Sequence, residues 1–212
     1  MVLSPFFRKF GLTAHITFSV GWFGAVAAFL ALAIAGLISE NAQVVASCYI
    51  SMELVTWFVI VPACAGALAT GIFQSLLTQW GLFRYYWVVA KFLMTVVATI
   101  VLLLHLQPIS SLASAVSGEV APDLNISGLR IQLLADAGAA LLMLLVTTTI
   151  SVYKPWGMTG YGKRKLNEQG KRVSGKRSIS KPWPLYVLLG LIALVILMFI
   201  VWHLAGGGLG HH

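Results

Sequence analysis

The distribution of apolar residues along the chain predicts a membrane protein. Long apolar stretches alternate with short polar segments, and each stretch reaches the roughly 20 residues that a helix needs to cross a bilayer. Because an open sheet edge cannot exist in lipid, all of these stretches are expected to be helices. There are five of them, at residues 11–37, 50–76, 86–106, 131–153 and 184–204. The predicted fold is an all-α membrane bundle of about five transmembrane helices.

Composition agrees with this interpretation. Of the 212 residues, 59% are hydrophobic and 9% are charged, whereas a soluble protein carries roughly 25% charged residues. The net charge of +8 raises the question of nucleic acid, but nine of the 14 Lys and Arg residues lie between Lys154 and Lys181. A basic cluster beside membrane spans is a topology signal and a contact for anionic lipid heads. We therefore expect the lipid bilayer, and not nucleic acid, as the partner.

The positive charges also predict an orientation. With five spans, Arg8, Arg84 and the basic loop at 154–182 fall on one side of the membrane, and Glu40 falls on the other. The positive-inside rule then places the N-terminus in the cytoplasm and the C-terminus outside. The Gly-rich tail at 205–212 is expected to be disordered.

Ionisable residues inside spans are costly, at roughly 2.5–3.5 kcal/mol each near the helix centre, so they call for a reason. His15 lies about five residues into the first span and Lys91 about six residues into the third, both counted from the cytoplasmic side. At a rise of 1.5 Å per residue, both lie about 7–9 Å below the same interface. Either residue alone is explained by a local hydrogen bond or by snorkelling to the headgroups. Their matched depth makes a shared ligand an equally good explanation.

A haem iron suits two such nitrogen donors. Histidine is a common axial ligand of haem b, and a lysine amine binds iron when it carries no proton. Ser19 and Trp22 lie on the same face of the first helix as His15, and Gly24 removes side-chain bulk nearby. Two further residues, Arg8 and Arg84, are available as partners for haem propionates at the cytoplasmic end.

A second group of ionisable residues is predicted towards the outer face. It comprises Glu53, His105, Asp136 and His203, with Arg130 at the boundary. Carboxylate and imidazole ligands can bind a transition metal or a second haem, or pass protons to a buried site. The alternative is a hydrogen-bonded cluster near water that only holds the helix ends together.

The stretch from His15 to Gly24 (HITFSVGWFG) resembles the histidine and Trp-x-Gly pattern of two groups of bacterial membrane proteins. One is the CopD group associated with copper resistance, and the other is the HemJ-type protoporphyrinogen oxidases. In the second family the histidine of the first helix and a lysine at the start of the third helix ligate haem b. Lys91 (in WVVAKFLMTVV) matches that lysine, so the resemblance implies that His15 and Lys91 are the iron ligands.

In overall appearance the chain is most similar to a family of bacterial integral membrane proteins without an assigned function, which the segment SVYKPWGMTGYG also resembles. The resemblance implies a multi-pass protein of the bacterial plasma membrane. The chain differs from the HemJ pattern in its fifth predicted span, its long basic loop and its sequence after residue 106.

Three classes of function remain open at this point. The first is a redox-active haem b protein, a haem-dependent oxidoreductase that transfers electrons between a small substrate or porphyrinogen and membrane quinone or a respiratory-chain partner. The second is a copper or proton-coupled transporter that uses Glu53, His105 and Asp136. The third is an accessory subunit without catalytic activity.

Overall fold

A computed structural model describes residues 4–77, 81–118 and 126–168 of the chain. Within these ranges nearly every residue is helical and no strand forms, apart from one isolated bridge between Tyr85 and Met158. The predicted all-α architecture is therefore confirmed. The fifth predicted span at 184–204, the tail at 205–212 and His203 lie outside the described residues.

The helices follow one another in a simple order. They are α1 (Pro5–Ile38), α2 (Ala42–Val55), a π-helical segment (Thr56–Ile60), α3 (Val61–Leu77), α4 (Tyr86–Val116), α5 (Ile126–Tyr153) and α6 (Gly160–Glu168). The π-helical segment joins α2 to α3 without a break, so residues 42–76 form one helix of membrane length. With α1, α4 and α5, the described part of the chain has four helices that are long and apolar enough to cross a membrane.

Helix α2 begins at Ala42, before the predicted start at residue 50, because a side chain caps it. The Oδ1 atom of Asn41 accepts hydrogen bonds from the backbone N–H groups of Gln43 (2.9 Å) and Val44 (3.4 Å). Asparagine is among the best N-cap residues because it satisfies backbone donors that have no partner within the helix. The cap therefore adds two turns to this end of the bundle.

Helix α4 continues past the predicted end at residue 106 and passes through Pro108. A proline lacks the N–H that bonds to the carbonyl four residues earlier, here that of Leu104, so one hydrogen bond is lost. The helix persists because unwinding it in lipid would expose further backbone groups. Ile109 and Leu112, which follow the proline, are also buried in the core of the bundle.

Helices α1 and α4 occupy opposite corners of the bundle. Helix α1 packs against α2, α3 and α5, and α4 packs against the same three helices. Because α2 and α3 are two halves of one long helix, the arrangement has four corners. Side chains from α1 and α4 can therefore approach each other in the interior.

Glycines allow α1 and α3 to approach closely. A Cβ atom at Gly66 would lie 2.5 Å from the ring of Phe18, and one at Gly71 would lie 3.2 Å from the ring of His15. Small residues have this role in membrane proteins, where van der Waals contact and not the hydrophobic effect holds helices together. The close approach places His15 directly against α3.

The first part of the predicted basic loop is folded against one end of the bundle. After α5, Lys154 adopts a left-handed backbone conformation (φ 46°), which turns the chain. The backbone N–H of Thr159 then donates to the carbonyl of Arg84 (2.9 Å), and α6 begins immediately afterwards. Residues 154–168 therefore pack against the connection between α3 and α4.

Candidate functional site

His15 projects from α1 towards α3. Its Nδ1 atom lies 3.1 Å from the Oγ1 atom of Thr70. The single hydroxyl hydrogen of Thr70 is donated to the carbonyl of Gly66 (2.5 Å), so Thr70 accepts a hydrogen bond from His15 and Nδ1 carries the hydrogen. The Nε2 atom of the neutral ring is then left with a free lone pair. The hydrogen bond to Thr70 therefore favours the tautomer in which Nε2 of His15 can bind a metal.

Lys91 belongs to the helix at the opposite corner of the bundle. It lies in α4, and the two side chains are close enough for an electrostatic interaction between Lys91 and His15. Lys154, from the segment that follows α5, also interacts electrostatically with Lys91. Lys91 is therefore within electrostatic range of His15, and Lys154 is within electrostatic range of Lys91.

The other residues predicted to surround His15 are dispersed. Ser19 is partly buried one turn further along α1, on the same face as His15. Trp22 is buried in the core, where it lines a cavity in the next layer of the bundle. Gly24 lies on the opposite face of α1, and among the described residues no atom comes within 4 Å of a Cβ placed there. The structure therefore does not bring Gly24 to His15.

Arg8 and Arg84, the predicted partners of haem propionates, lie at the end of the bundle nearest to His15. Arg8 is exposed in the first turn of α1. Arg84 lies in the turn before α4, where its side chain folds over Gly81, a glycine with a left-handed backbone (φ 57°). Both guanidinium groups are thus on the same side as the pair of His15 and Lys91.

A second polar site joins α4 to α5. The Nε2 atom of His105 lies 2.7 Å from the Oδ2 atom of Asp136, and its Nδ1 atom lies 2.7 Å from the carbonyl oxygen of Val101. A carbonyl only accepts, so Nδ1 carries a hydrogen. At 2.7 Å a second hydrogen must lie between Nε2 and Oδ2. The pair is therefore either an imidazolium facing a carboxylate or an imidazole facing a carboxylic acid.

This pair lies deeper in the bundle than the sequence analysis predicted. His105 and Asp136 are each at least ten residues from either end of their helices, which is about 15 Å at 1.5 Å per residue. Only 4% of the surface of His105 is exposed. The span was predicted to end at residue 106, but α4 continues to Val116, so His105 lies well inside the helix and not near its end.

The pair also borders a cavity of about 340 Å³ at the centre of the bundle. Its walls come from α1, the π-helical segment, α4 and α5, and they are almost entirely apolar. Thr56 is a wall residue, but its hydroxyl donates to the carbonyl of Met52 (2.7 Å). His105 and Asp136 are the ionisable residues among the wall residues. Neither His15 nor Lys91 lines it.

Glu53 does not complete a metal site with this pair. Across residues 4–77, 81–118 and 126–168, no group of three or more His, Cys, Asp or Glu side chains could hold a metal ion. Arg130 has a structural role instead. Its Nε atom donates to the hydroxyl of Tyr49 (2.7 Å) and its Nη2 atom to the carbonyl of Gly36, which joins α5 to α1 and α2.

Sequence reasoning missed the residues that orient the site. No pattern in the sequence indicates that Thr70 bonds to His15, since the two positions are 55 residues apart on different helices. The sequence contained a weak indication that Asp136 is paired, because a carboxylate inside a membrane span requires a partner. The error in the depth of His105 concealed that signal.

Comparison of the chain with models of known protein families, with curated proteins and with solved structures finds no match.

Proposed function

We propose that this protein is a redox-active, haem b-binding integral membrane protein in which His15 and Lys91 would hold the iron. One observation carries the proposal: two nitrogen donors on α1 and α4, at opposite corners of the bundle, lie within electrostatic range of each other. A ligand bound between them would contact two helices at opposite corners of the bundle. This is how helical bundles hold cofactors in their cores.

The donor set fits haem iron. The hydrogen bond from Nδ1 to Thr70 leaves Nε2 of His15 free to bind and holds the ring in one orientation. A histidine is the usual axial ligand of haem b, and an amine is a suitable sixth ligand when unprotonated. Arg8 and Arg84, at the same end of the bundle, would pair with the propionates.

Bound haem would supply one-electron oxidation and reduction. The apolar helices around His15 keep water from the site, and Lys154 adds positive charge next to Lys91. We propose membrane quinone or a respiratory-chain component as the electron partner, and a small molecule or porphyrinogen as the substrate. The protein would then be a haem-dependent membrane oxidoreductase of the bacterial plasma membrane.

The colour of the purified protein tests this proposal. Protein expressed with a haem supply should show a Soret band and the reduced α and β bands of a b-type haem. His15→Ala should lose most of the haem, and added imidazole should restore it if the variant is folded and lacks only its ligand. Lys91→Met should retain part of the haem with a shifted spectrum, because only the sixth ligand is changed.

His105→Gln is the control for these variants. His105 lies 14 residues after Lys91 in α4, about 21 Å at 1.5 Å per residue, and glutamine leaves Asp136 with a hydrogen-bond donor. The haem content should be unchanged. A colourless wild-type protein would refute the proposal. Loss of haem in His105→Gln but not in His15→Ala would place the haem near His105 and would also contradict it.

The alternative class, a proton-coupled transporter, has one observation in its favour. The pair of His105 and Asp136 shares a hydrogen deep inside the membrane span, and such pairs occur in proton pathways. A copper transporter has less support, because the described residues contain no group that could hold a metal ion. A transporter or an accessory subunit would be colourless after purification, so the same spectrum separates these classes from the first.

The proposed orientation has a cytoplasmic N-terminus and an outer C-terminus. It is supported by the end of the bundle at which the basic groups gather. Arg8, Arg84 and the lysines and arginine of α6 lie at one end, since α6 follows a segment that bonds to the residues before α4. Glu40 lies at the other end, between α1 and α2.

A further inference from the structure

The cavity beside His105 and Asp136 has the composition of a ligand site. Its volume of about 340 Å³ lies within the range of roughly 300–1,000 Å³ that small-molecule sites occupy. Such sites combine apolar walls with a few polar groups that orient the ligand, and this cavity does the same. The buried pair is the polar feature, and Trp22 and Phe29 are part of the apolar wall.

Among the described residues, the cavity reaches the outer surface of α4 and α5. Three of its wall residues, Ile100, Leu104 and Ala139, are also exposed on the outside of α4 and α5. These exposed side chains belong to segments of membrane-spanning helices. A molecule dissolved in the lipid can therefore enter from the side, whereas a strongly polar molecule would lose its hydration at this depth without gaining partners.

The hydrogen-bonding state of Asp136 determines which head group fits. Its Oδ2 atom is buried and lies 2.7 Å from Nε2 of His105, which is too short for two acceptors without a hydrogen between them. The 18% exposure of the Asp136 side chain therefore belongs to its other atoms. Whether the shared hydrogen is on the imidazole or on Oδ2, the Oδ1 atom carries none and only accepts. A ligand that reaches Oδ1 must consequently present a hydrogen-bond donor.

We infer that this cavity binds a membrane-soluble phenol, such as a quinol, with its hydroxyl donating to Asp136 and its apolar part against the walls. A carbonyl or an ether at the same position would place an oxygen that only accepts hydrogen bonds against Oδ1 of Asp136, which also only accepts. The site is therefore selective for the hydroxyl form over forms that lack the hydrogen. It lies in a different layer from His15 and Lys91, and it does not depend on the haem proposal.

A redox-inert pair of probes tests the inference. Para-decylphenol and its methyl ether differ only in the hydroxyl hydrogen, and both enter membranes. Binding to the full-length protein in lipid nanodiscs is measured by titration calorimetry, with empty nanodiscs subtracted. The wild-type protein should bind the phenol at least about tenfold more tightly than the ether, a difference within the worth of one hydrogen bond to a charged group.

Three variants locate the site. The double substitution His105→Leu and Asp136→Leu should abolish the preference for phenol, and removing both partners together leaves no buried polar group unsatisfied. Ala140→Phe should fill the cavity and weaken binding of the phenol at least about tenfold. Ala135→Phe is its matched control on α5, since Ala135 is exposed and does not line the cavity, and it should bind as the wild type does.

Equal binding of phenol and ether by the wild type would overturn the inference. So would a preference that survives the double leucine substitution, or equal effects of Ala140→Phe and Ala135→Phe. The absorbance of the same samples reports haem content. A colourless protein that prefers the phenol would refute the haem proposal and leave this site standing.

Discussion

Gly162 in α6 is the position at which a single methyl group should detach a segment of the protein. A Cβ atom there would lie 2.5 Å from the carbonyl oxygen of Arg84, whereas real Cβ contacts essentially never fall below 3.0 Å. The obstacle is backbone, so it cannot rotate away as a side chain would. Gly162→Ala should therefore push α6 away from the connection between α3 and α4.

The displacement acts on two hydrogen bonds. The N–H of Thr159 donates to the carbonyl of Arg84 (2.9 Å), and the hydroxyl of Thr159 donates to the carbonyl of Phe83 (2.6 Å). At roughly 0.5–1.5 kcal/mol each, their loss costs about 1–3 kcal/mol of docking free energy. Replacing glycine by alanine within a helix also stabilises the helix by roughly 0.5–1 kcal/mol. The control variant must therefore include the same glycine-to-alanine stabilisation.

Gly160→Ala is that control, because among the described residues nothing lies within 4 Å of a Cβ at Gly160. Hydrogen–deuterium exchange of peptides covering residues 155–165 reports local opening of this segment. Exchange should be about 5- to 150-fold faster in Gly162→Ala than in Gly160→Ala, since each 1.4 kcal/mol is a factor of ten. Equal exchange in the two variants would refute the docking described here.

Two further predictions concern the stability of the bundle and its orientation. Tyr49→Phe removes the acceptor of the Arg130 Nε–H and should cost about 1.5–3 kcal/mol in detergent unfolding, whereas Tyr153→Phe, at an exposed position, should cost nothing measurable. For orientation, Glu40→Cys should react with a membrane-impermeant maleimide on intact cells and Lys163→Cys should not, because the basic end is expected to face the cytoplasm. The two native cysteines are buried and should not contribute to the labelling. The reverse labelling would invert the proposed topology.

The helical membrane architecture was predictable because it depends on local composition. A stretch of some 20 apolar residues has only the helix available in lipid, whatever its neighbours are. The ends of the helices were less predictable, since they depend on single residues. Asn41 extends α2 by capping it, and the buried residues after Pro108 extend α4. Because α4 continues to Val116, His105 lies well inside this helix and not near its end.

The sequence by itself determined which ionisable residues are placed inside the membrane: His15, Lys91, His105 and Asp136 interrupt apolar stretches and each requires a partner. Which partner each one has was decided by the tertiary structure. The glycines of α3 bring His15 against Thr70, and the packing of α4 on α5 brings His105 to Asp136. These contacts join residues far apart in the chain, so they arise from how the helices pack, and periodicity along one helix carries no information about them.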